Sequence, residues 1–270
     1  MMQLPQFSAM PPLSFRYGGI PSQDLMPSWQ SQTPVVQATD AGGTRLACLD
    51  SSTGLKVTAT VRRFAAFPAV EWVLELENLG TASTPLIENI LPIDVSIPLP
   101  GRERVRLHYA NGSLCQMDDW LPRLTELRPG ARTALSPIGG RSSNGVCPFV
   151  NLQGEGSGLV LAIGWSGQWA ATFERGEQGL HVSAGMEHTH LRLHPCEKIR
   201  TPRILLLSWQ GDDMETGNNL LRQLLLAHYL PRLDGQLVLP PVAQMLQMYF
   251  YLTGNAGEQY ELKAIPRRTP

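Results

Sequence analysis

The sequence predicts a mainly β protein, an antiparallel β-sandwich closed by one long helix. Many short segments alternate apolar and polar residues and are separated by turn residues, which is typical of half-buried strands. After Gly211 this alternation gives way to an apolar repeat of three and four residues, which predicts a helix. The chain has 270 residues, of which 43% are hydrophobic, so it is long enough to bury a substantial core.

The clearest strand covers residues 70–77, where large apolar residues alternate with mostly acidic ones before the turn sequence Asn78-Leu79-Gly80. Residues 55–64 alternate in the same way, so they are the predicted antiparallel partner. Further strands are predicted at 13–17, 86–97, 104–109, 148–153, 158–165, 168–174, 179–184, 190–194 and 204–209. The run 204–207 is apolar throughout, which indicates a strand buried on both faces. Regular patterning fades over 111–144, which is typical of a functional loop or a sheet edge.

The predicted helix covers residues 212–230. Asp212 is its predicted N-cap, Glu215 is placed to reach back to that cap, and Pro231 removes the next N–H donor. We therefore expect a first domain over residues 1–232 and a separate segment over 233–270.

Composition and motifs exclude several classes of function. The net charge of −1 and the absence of basic runs with interleaved aromatics argue against nucleic-acid binding. No phosphate loop or other cofactor motif occurs, so no cofactor is expected. Cysteines 48, 115, 147 and 196 are widely spaced, which favours reduced thiols over a disulfide framework or a zinc site. The first residues form neither a signal peptide nor a membrane span, so a cytoplasmic location is expected.

The most site-like group in the irregular region is Asp118-Asp119-Trp120. Two carboxylates beside an aromatic ring on a loop can bind sugar hydroxyls. Adjacent acidic residues also suit a solvated turn, and both interpretations stay open.

Trp165 and Trp169 flank a Ser-Gly turn and are the candidates for stacking on a sugar ring. Packing at the core or at strand ends is the alternative, because an indole ring covers much apolar area. His188, His190 and His194 would share one face of a continuous strand, where a metal or acid–base role is conceivable. A third converging ligand is not indicated, so we predict no metal site.

Several segments together carry a family resemblance. They are GWSGQW at 164–169, AGMEHTH at 184–190, TPRILL at 201–206, residues 219–231, and LSFRYGG at 13–19. In this order they resemble the N-terminal part of family-36 glycoside hydrolases, the α-galactosidases. Cys196 departs from the family pattern, in which a glycine is expected in a Pro-Gly-Glu turn.

The resemblance implies an antiparallel β-supersandwich, similar to the fold of galactose mutarotases, followed by a (β/α)8 barrel that hydrolyses α-galactosides with retention. It also implies an aspartate nucleophile in a Lys-Trp-Asp motif and a second aspartate as acid/base, since a retaining mechanism needs both. None of the 6 tryptophans in this sequence precedes an aspartate, so no catalytic residue is assigned. Residues 233–270 are then a linker and the truncated start of the barrel, and we expect the chain alone to be inactive.

The expected partners are an α-galactoside or another carbohydrate, the missing catalytic barrel, and further copies of the chain. Association is expected because Met245, Met248, Phe250 and Tyr251 would remain exposed without the barrel. Neither nucleic acid nor a membrane is an expected partner. Two alternative functions are a free-standing carbohydrate-binding sandwich and a mutarotase-like epimerase that uses a histidine with a carboxylate.

Overall fold

The structure is a computed structural model that describes residue 4 and residues 10–35, 43–99 and 104–238. The chain divides into two compact units, Met1–His228 and Tyr229–Pro270. The first unit is mostly strand, and the part of the second unit that is described contains one short hairpin.

The strands of the first unit are β1 (Ser14–Tyr17), β2 (Ile20–Pro21), β3 (Gln30–Val35), β4 (Thr44–Leu49), β5 (Leu55–Arg63), β6 (Ala69–Asn78), β7 (Ile87–Leu91), β8 (Ile93–Pro98), β9 (Val105–Ala110), β10 (Pro122–Leu127), β11 (Arg132–Leu135), β12 (Phe149–Gln153), β13 (Ser157–Gly164), β14 (Trp169–Arg175), β15 (Gly179–Met186), β16 (His190–Leu191), β17 (Lys198–Arg200) and β18 (Arg203–Gln210). Its helices are α1 (Ser22–Leu25), a 3-10 turn (Met26–Ser28) and α2 (Glu215–His228).

These strands form one large sheet and two smaller ones. The large sheet has 10 strands, in the order β10-β9-β12-β13-β18-β6-β5-β4-β3, with β17 added beside β6. The two 4-stranded sheets have the orders β11-β14-β15-β8 and β16-β7-β1-β2. Every strand pair that the structure describes is antiparallel. The prediction of a mainly β, antiparallel fold consistent with a sandwich is confirmed.

A single apolar cluster joins the three sheets. It contains Leu74 of the large sheet, Phe173 and Trp169 of one small sheet and Ile87 of the other, all at most 1% exposed. A second cluster lies on the other face of the large sheet, where Leu221 and Leu224 of α2 pack on it. The large sheet is therefore covered on both faces at its centre.

Strand β18 supplies residues to both clusters and confirms the predicted strand buried on two faces. Ile204 and Leu206 belong to the cluster between the sheets, and Leu205 and Leu207 belong to the cluster under α2. Successive side chains of a strand point to opposite faces of the sheet, so an uninterrupted apolar run can pack against an apolar cluster on each face.

The predicted pairing of 55–64 with 70–77 is also confirmed. Val61 lies opposite Trp72, and Leu55 lies opposite Asn78. The buried Asn78 then shapes the turn that follows, because its Nδ2 donates to the carbonyls of Ala82 and Leu193 at 2.8 Å and its Oδ1 accepts from the N–H of Gly80 at 2.8 Å.

Two sequence predictions about strands are corrected. Segment 86–97 is two strands of different sheets, β7 and β8, separated by Pro92, which has no N–H to donate to a ladder. Segment 111–144 contains β10 and β11, which the sequence did not reveal. Strand β10 is at a sheet edge and exposes Leu124, so its sequence lacks the alternation of a half-buried strand.

The bounds predicted for the helix were wrong at both ends. Helix α2 covers Glu215–His228, with 14 residues, instead of 212–230. Its cap is Asp213, whose Oδ1 accepts from the N–H of Glu215 at 3.0 Å. Asp212 instead accepts the N–H of Gly156 at 3.0 Å and thereby ties the end of β18 to the turn before β13.

The described part of the second unit is the hairpin of β19 (Arg232–Leu233) and β20 (Gln236–Leu237). Its turn residues Asp234 and Gly235 have φ values of 50° and 78°, as an Asp-Gly hairpin turn requires. The predicted start of a barrel, with Met245, Met248, Phe250 and Tyr251, lies outside the described residues. The assignments of residues 1–232 and 233–270 to these domains stay predictions.

Close contact between α2 and the sheet leads to a stability prediction. A Cβ on Gly217 would lie 2.5 Å from Cδ1 of the buried Trp209 ring, so Gly217→Ala should lower the free energy of unfolding by about 2 kcal/mol. This loss is expected even though alanine is the better helix former by about 1 kcal/mol. Urea unfolding measures the change, and Thr216→Ala on the exposed side of the helix is the control, expected within about 0.5 kcal/mol of the parent. An unchanged or higher stability of Gly217→Ala would contradict this packing.

Candidate functional site

Asp119 organises the loop between β9 and β10, residues 111–121. Its Oδ1 accepts from the N–H of Leu114 at 2.8 Å, and its Oδ2 accepts from the hydroxyl of Ser113 at 2.7 Å and the N–H of Cys115 at 3.0 Å. The N–H of Leu114 and the hydroxyl of Ser113 hold the pKa of the Asp119 carboxyl below its ordinary value. These bonds therefore stabilise the loop above the ordinary pKa of aspartate and weaken as the pH falls through the lowered one.

Asp118 fixes the two ends of the same loop. Its Oδ2 accepts from Nδ2 of Asn111 at 2.9 Å and lies 3.2 Å from Nη2 of Arg123 on β10. Both side chains of the ion pair are exposed, at 43% for Arg123 and 56% for Asp118, so it orients the loop more than it stabilises the fold. The two adjacent carboxylates thus have internal structural partners.

Trp120 is the most unusual residue of the loop. Its φ is 63°, in the left-handed region that bulky side chains avoid, and its side chain is 56% exposed. Such a conformation persists only where the surrounding structure imposes it, and it is concentrated at functional sites. Two backbone hydrogen bonds of 3.2 Å flank Trp120 and hold this conformation. The N–H of Asp119 donates to the carbonyl of Gln116, and the N–H of Leu121 donates to the carbonyl of Asp118.

The two tryptophans predicted to stack on a sugar have different environments. Trp169 is 0% exposed and donates from Nε1 to the carbonyl of Ser142 at 2.7 Å, so its ring is not accessible to a ligand. That candidate is corrected, because strand alternation directs the first residue of β14 into the core. Trp165 is half-buried and packs against the core, and its role as a sugar contact stays a prediction.

The segment 137–146 joins the two groups of candidates, and we call it the bridging segment. The N–H of Ser113 in the loop donates to the carbonyl of Ser143 at 2.9 Å, and the neighbouring Ser142 accepts from Trp169. The join is tight, because a Cβ on Gly112 would lie 1.9 Å from the carbonyl oxygen of Ser143. On the other side, Gln168 accepts from the N–H of Gly140 at 2.9 Å. The sequence pattern indicated neither the bridging segment nor the need for a glycine at position 112.

A cleft of about 320 Å³ adjoins this region and was also missed. It is lined by Tyr109 and Arg123 of the β9–β10 hairpin, by the half-exposed Phe149, and by Glu215 and Asn218 of α2. The signal that could have indicated it is Asn151, an amide between the apolar residues Val150 and Leu152 of a predicted strand. Its side chain joins sheet and helix through Trp209 at 2.9 Å and Asn218 at 3.0 Å.

The histidines do not converge. His190 lies 3.0 Å from Glu88 and His194 lies 2.8 Å from Ser83, whereas His188 is 91% exposed. The strand predicted over 190–194 is shorter in the structure, because β16 contains only His190 and Leu191, so the three histidines do not lie on one continuous strand. Across the ranges that the structure describes, no group of three or more metal-ligating side chains is assembled.

A family model matches most of the first unit. Residues 12–194 match the family model of the glycosyl hydrolase family 36 N-terminal domain. The chain therefore belongs to this family. No curated protein matches the sequence. Among the helices described, none is long and apolar enough to cross a bilayer.

Solved structures with a similar fold include α-galactosidases. AgaB from Geobacillus stearothermophilus is 16% identical with a TM-score of 0.54, and the match covers 78% of this chain and 32% of that one. The enzyme from Lactobacillus brevis is 16% identical with a TM-score of 0.56, with 84% and 32% covered. An AgaA variant in complex with stachyose is 18% identical with a TM-score of 0.53, with 82% and 29% covered. This chain thus spans about a third of the length of the structures that it matches.

Removing the Asp119 carboxylate should loosen the loop selectively. In Asp119→Ala, the amides of Leu114 and Cys115 should exchange hydrogen about tenfold faster, because each loses a charged acceptor. Hydrogen exchange followed by mass spectrometry measures this at neutral pH. Asp118→Ala is the matched control, since its carboxylate accepts from the side chains of Asn111 and Arg123. Exchange at the parent's rate in Asp119→Ala would show that Asp119 does not order the loop.

Proposed function

We propose that this chain is the non-catalytic N-terminal domain of an α-galactosidase-like retaining glycoside hydrolase that acts on α-galactosides. In this role it supports assembly of the enzyme and contributes to the rim of the active site. Family membership supports the proposal, as does the fold shared with enzymes called α-galactosidases, one of them in complex with stachyose.

The non-catalytic assignment has a chemical basis. A retaining glycosidase needs two carboxyl groups about 5–5.5 Å apart, one as nucleophile and one as acid/base. Asp118 and Asp119 are adjacent in sequence, and their oxygens accept hydrogen bonds that order their own loop. A lowered pKa also makes Asp119 a poor proton donor at neutral pH. These carboxylates are therefore better suited to holding the loop than to the reaction.

The observation that carries the rim assignment is Trp120. An exposed indole ring in a strained backbone conformation, on a loop ordered by Asp119, is a rigid apolar surface for a pyranose ring. A preorganised ring loses little conformational entropy on binding, which favours affinity. Met117, at 106% exposure, and Leu121, at 44%, are further exposed apolar residues of the same loop.

Trp120 should affect substrate affinity without affecting the chemical step. In the polypeptide that joins this domain to a catalytic barrel, Trp120→Ala should raise KM for raffinose about fivefold, equivalent to about 1 kcal/mol of lost stacking. The value of kcat should be unchanged, because the ring would contact bound sugar in the ground state and the transition state alike. Steady-state kinetics measures both constants.

The matched control is Leu124→Ala, which removes an exposed apolar side chain of β10 outside the loop and should leave KM unchanged. Trp120→Phe should lie between the parent and Trp120→Ala. If Trp120→Ala and the parent have the same KM, Trp120 is not part of the rim.

We also propose that copies of the domain associate. The exposed apolar residues Met117 and Leu121 support this, together with the apolar segment around Met248 and Phe250, which lies outside the described residues. Sedimentation velocity over a wide concentration range should show oligomers that grow with concentration, and Met117→Gln should weaken them. A monomer at every concentration would contradict association.

The free-standing carbohydrate-binding module and the mutarotase-like epimerase stay alternative predictions. No described contact favours either one over the domain role. The ring of Trp169 is inaccessible, and the histidine–carboxylate pair His190–Glu88 lies on the surface with a 72% exposed histidine.

A further inference from the structure

The cleft between the large sheet and α2 contains polar groups that the fold itself leaves unused. Its volume is about 320 Å³, within the range of roughly 300–1,000 Å³ that is usual for small-molecule sites. The hydroxyl of Tyr109 and the carboxylate of Glu215 line it, and neither has a hydrogen-bond or ion-pair partner among the described residues. Arg123 also lines it, and within the same ranges only its Nε and Nη2 have partners. Its Nη1 is left for a ligand.

The part of the cleft around Asn151 is preformed. This residue is 4% exposed and uses both ends of its side-chain amide. Its Nδ2 donates to the carbonyl of Met214 and to Oδ1 of Asn218, both at 3.0 Å, and its Oδ1 accepts from Nε1 of Trp209 at 2.9 Å. These bonds join the sheet to the start of α2. A ligand does not have to organise this part of the cleft, which favours affinity.

The rest of the lining combines an aromatic ring with hydrogen-bonding groups. Phe149 is 44% exposed and is part of the lining. The face of an aromatic ring suits the C–H groups of a pyranose, which form the apolar side of the sugar. The carboxylate of Glu215 can accept from a sugar hydroxyl, the guanidinium of Arg123 can donate to one, and the phenol of Tyr109 can do both.

The charges of the lining favour a neutral ligand. Glu215 is the one carboxylate and Arg123 the one guanidinium among the residues that line the cleft. Because their charges are opposite, the cleft as a whole attracts neither anions nor cations strongly. A neutral ligand rich in hydroxyl groups also avoids the loss of hydration that an ion suffers on entering a cleft.

We propose that this cleft binds a neutral hexopyranose. The apolar side of the sugar stacks on the ring of Phe149, and its hydroxyls bond to Glu215, Tyr109 and Nη1 of Arg123. The inference rests on the proposed function for the class of ligand, and it adds a sugar site that belongs to this domain alone. Trp120, the residue of the proposed rim, is not part of the lining of this cleft.

Titration of the full chain with galactose tests the site, followed by saturation-transfer NMR of the sugar protons. The parent should give a saturable signal with a Kd of about 1 mM, equivalent to about 4 kcal/mol. Phe149→Ala should raise this Kd about tenfold, because the stacking contact is lost. Phe149→Leu, which keeps apolar volume without an aromatic face, should also raise it. Glu215→Gln should weaken binding about threefold to tenfold, since a charged acceptor of a hydroxyl proton is replaced.

Two matched controls should leave the Kd unchanged. Leu226→Ala removes an apolar side chain of α2 that is 49% exposed and is not part of the lining. Glu177→Gln makes the same change of charge as Glu215→Gln in the exposed turn after β14.

Three results would overturn the proposal. Absence of a saturable signal from galactose and from glucose would show that the cleft binds no hexose. A parental Kd in both Phe149 variants would place any sugar elsewhere on the domain. Tighter binding of galactosamine than of galactose would show that Glu215 selects a cation. None of these results bears on the rim, because the effect of Trp120 is measured as KM in the polypeptide that includes a barrel.

Discussion

The burial of β18 on both faces is the constraint on which the rest of the structure depends. Ile204 and Leu206 close the core between the sheets, and Leu205 and Leu207 close the surface under α2. Helix α2 can cover this surface only because Gly217 lets it approach the ring of Trp209. Asn151 then fixes the helix, since its amide contacts both Trp209 and Asn218. One strand thus determines the position of the helix, and the helix in turn closes the cleft beside the β9–β10 hairpin.

The candidate site combines a rigid framework with local strain. The left-handed backbone of Trp120 is unfavourable by itself, and the ordered loop offsets this cost through the carboxylate of Asp119. The bridging segment adds a second support through two hydrogen bonds. The carbonyl of Ser143 accepts from the loop, and the carbonyl of Ser142 accepts from Trp169 of the sheet. A backbone that is held in this way presents the 56% exposed ring of Trp120 from a fixed position. This property suits a residue at the rim of a binding site better than a residue of a solvated turn.

The site could be predicted in part. Carboxylates beside a tryptophan in an irregular region were enough to select Asp118, Asp119 and Trp120, but not to state what each one does. The hydrogen bonds of Asp119 go to residues four and five positions away, and a pattern of residue types does not encode such a loop conformation. Trp165 and Trp169 looked alike in sequence, and only strand alternation within the assembled sheets buried one ring completely.

The sequence by itself determined the class of fold, the pairing of β5 with β6, the two-faced burial of β18 and the family resemblance. The fold class, the strand pairing and the two-faced burial follow from local periodicity, because a period of two or of 3.6 residues can be read without the partner. The family resemblance follows instead from motifs such as GWSGQW at 164–169. Tertiary structure alone decided the division of 86–97 between two sheets, the edge strand β10, the true cap of α2 and the burial of the Arg175 side chain. Each depends on which distant residues become neighbours, and that is fixed only when the sheets pack.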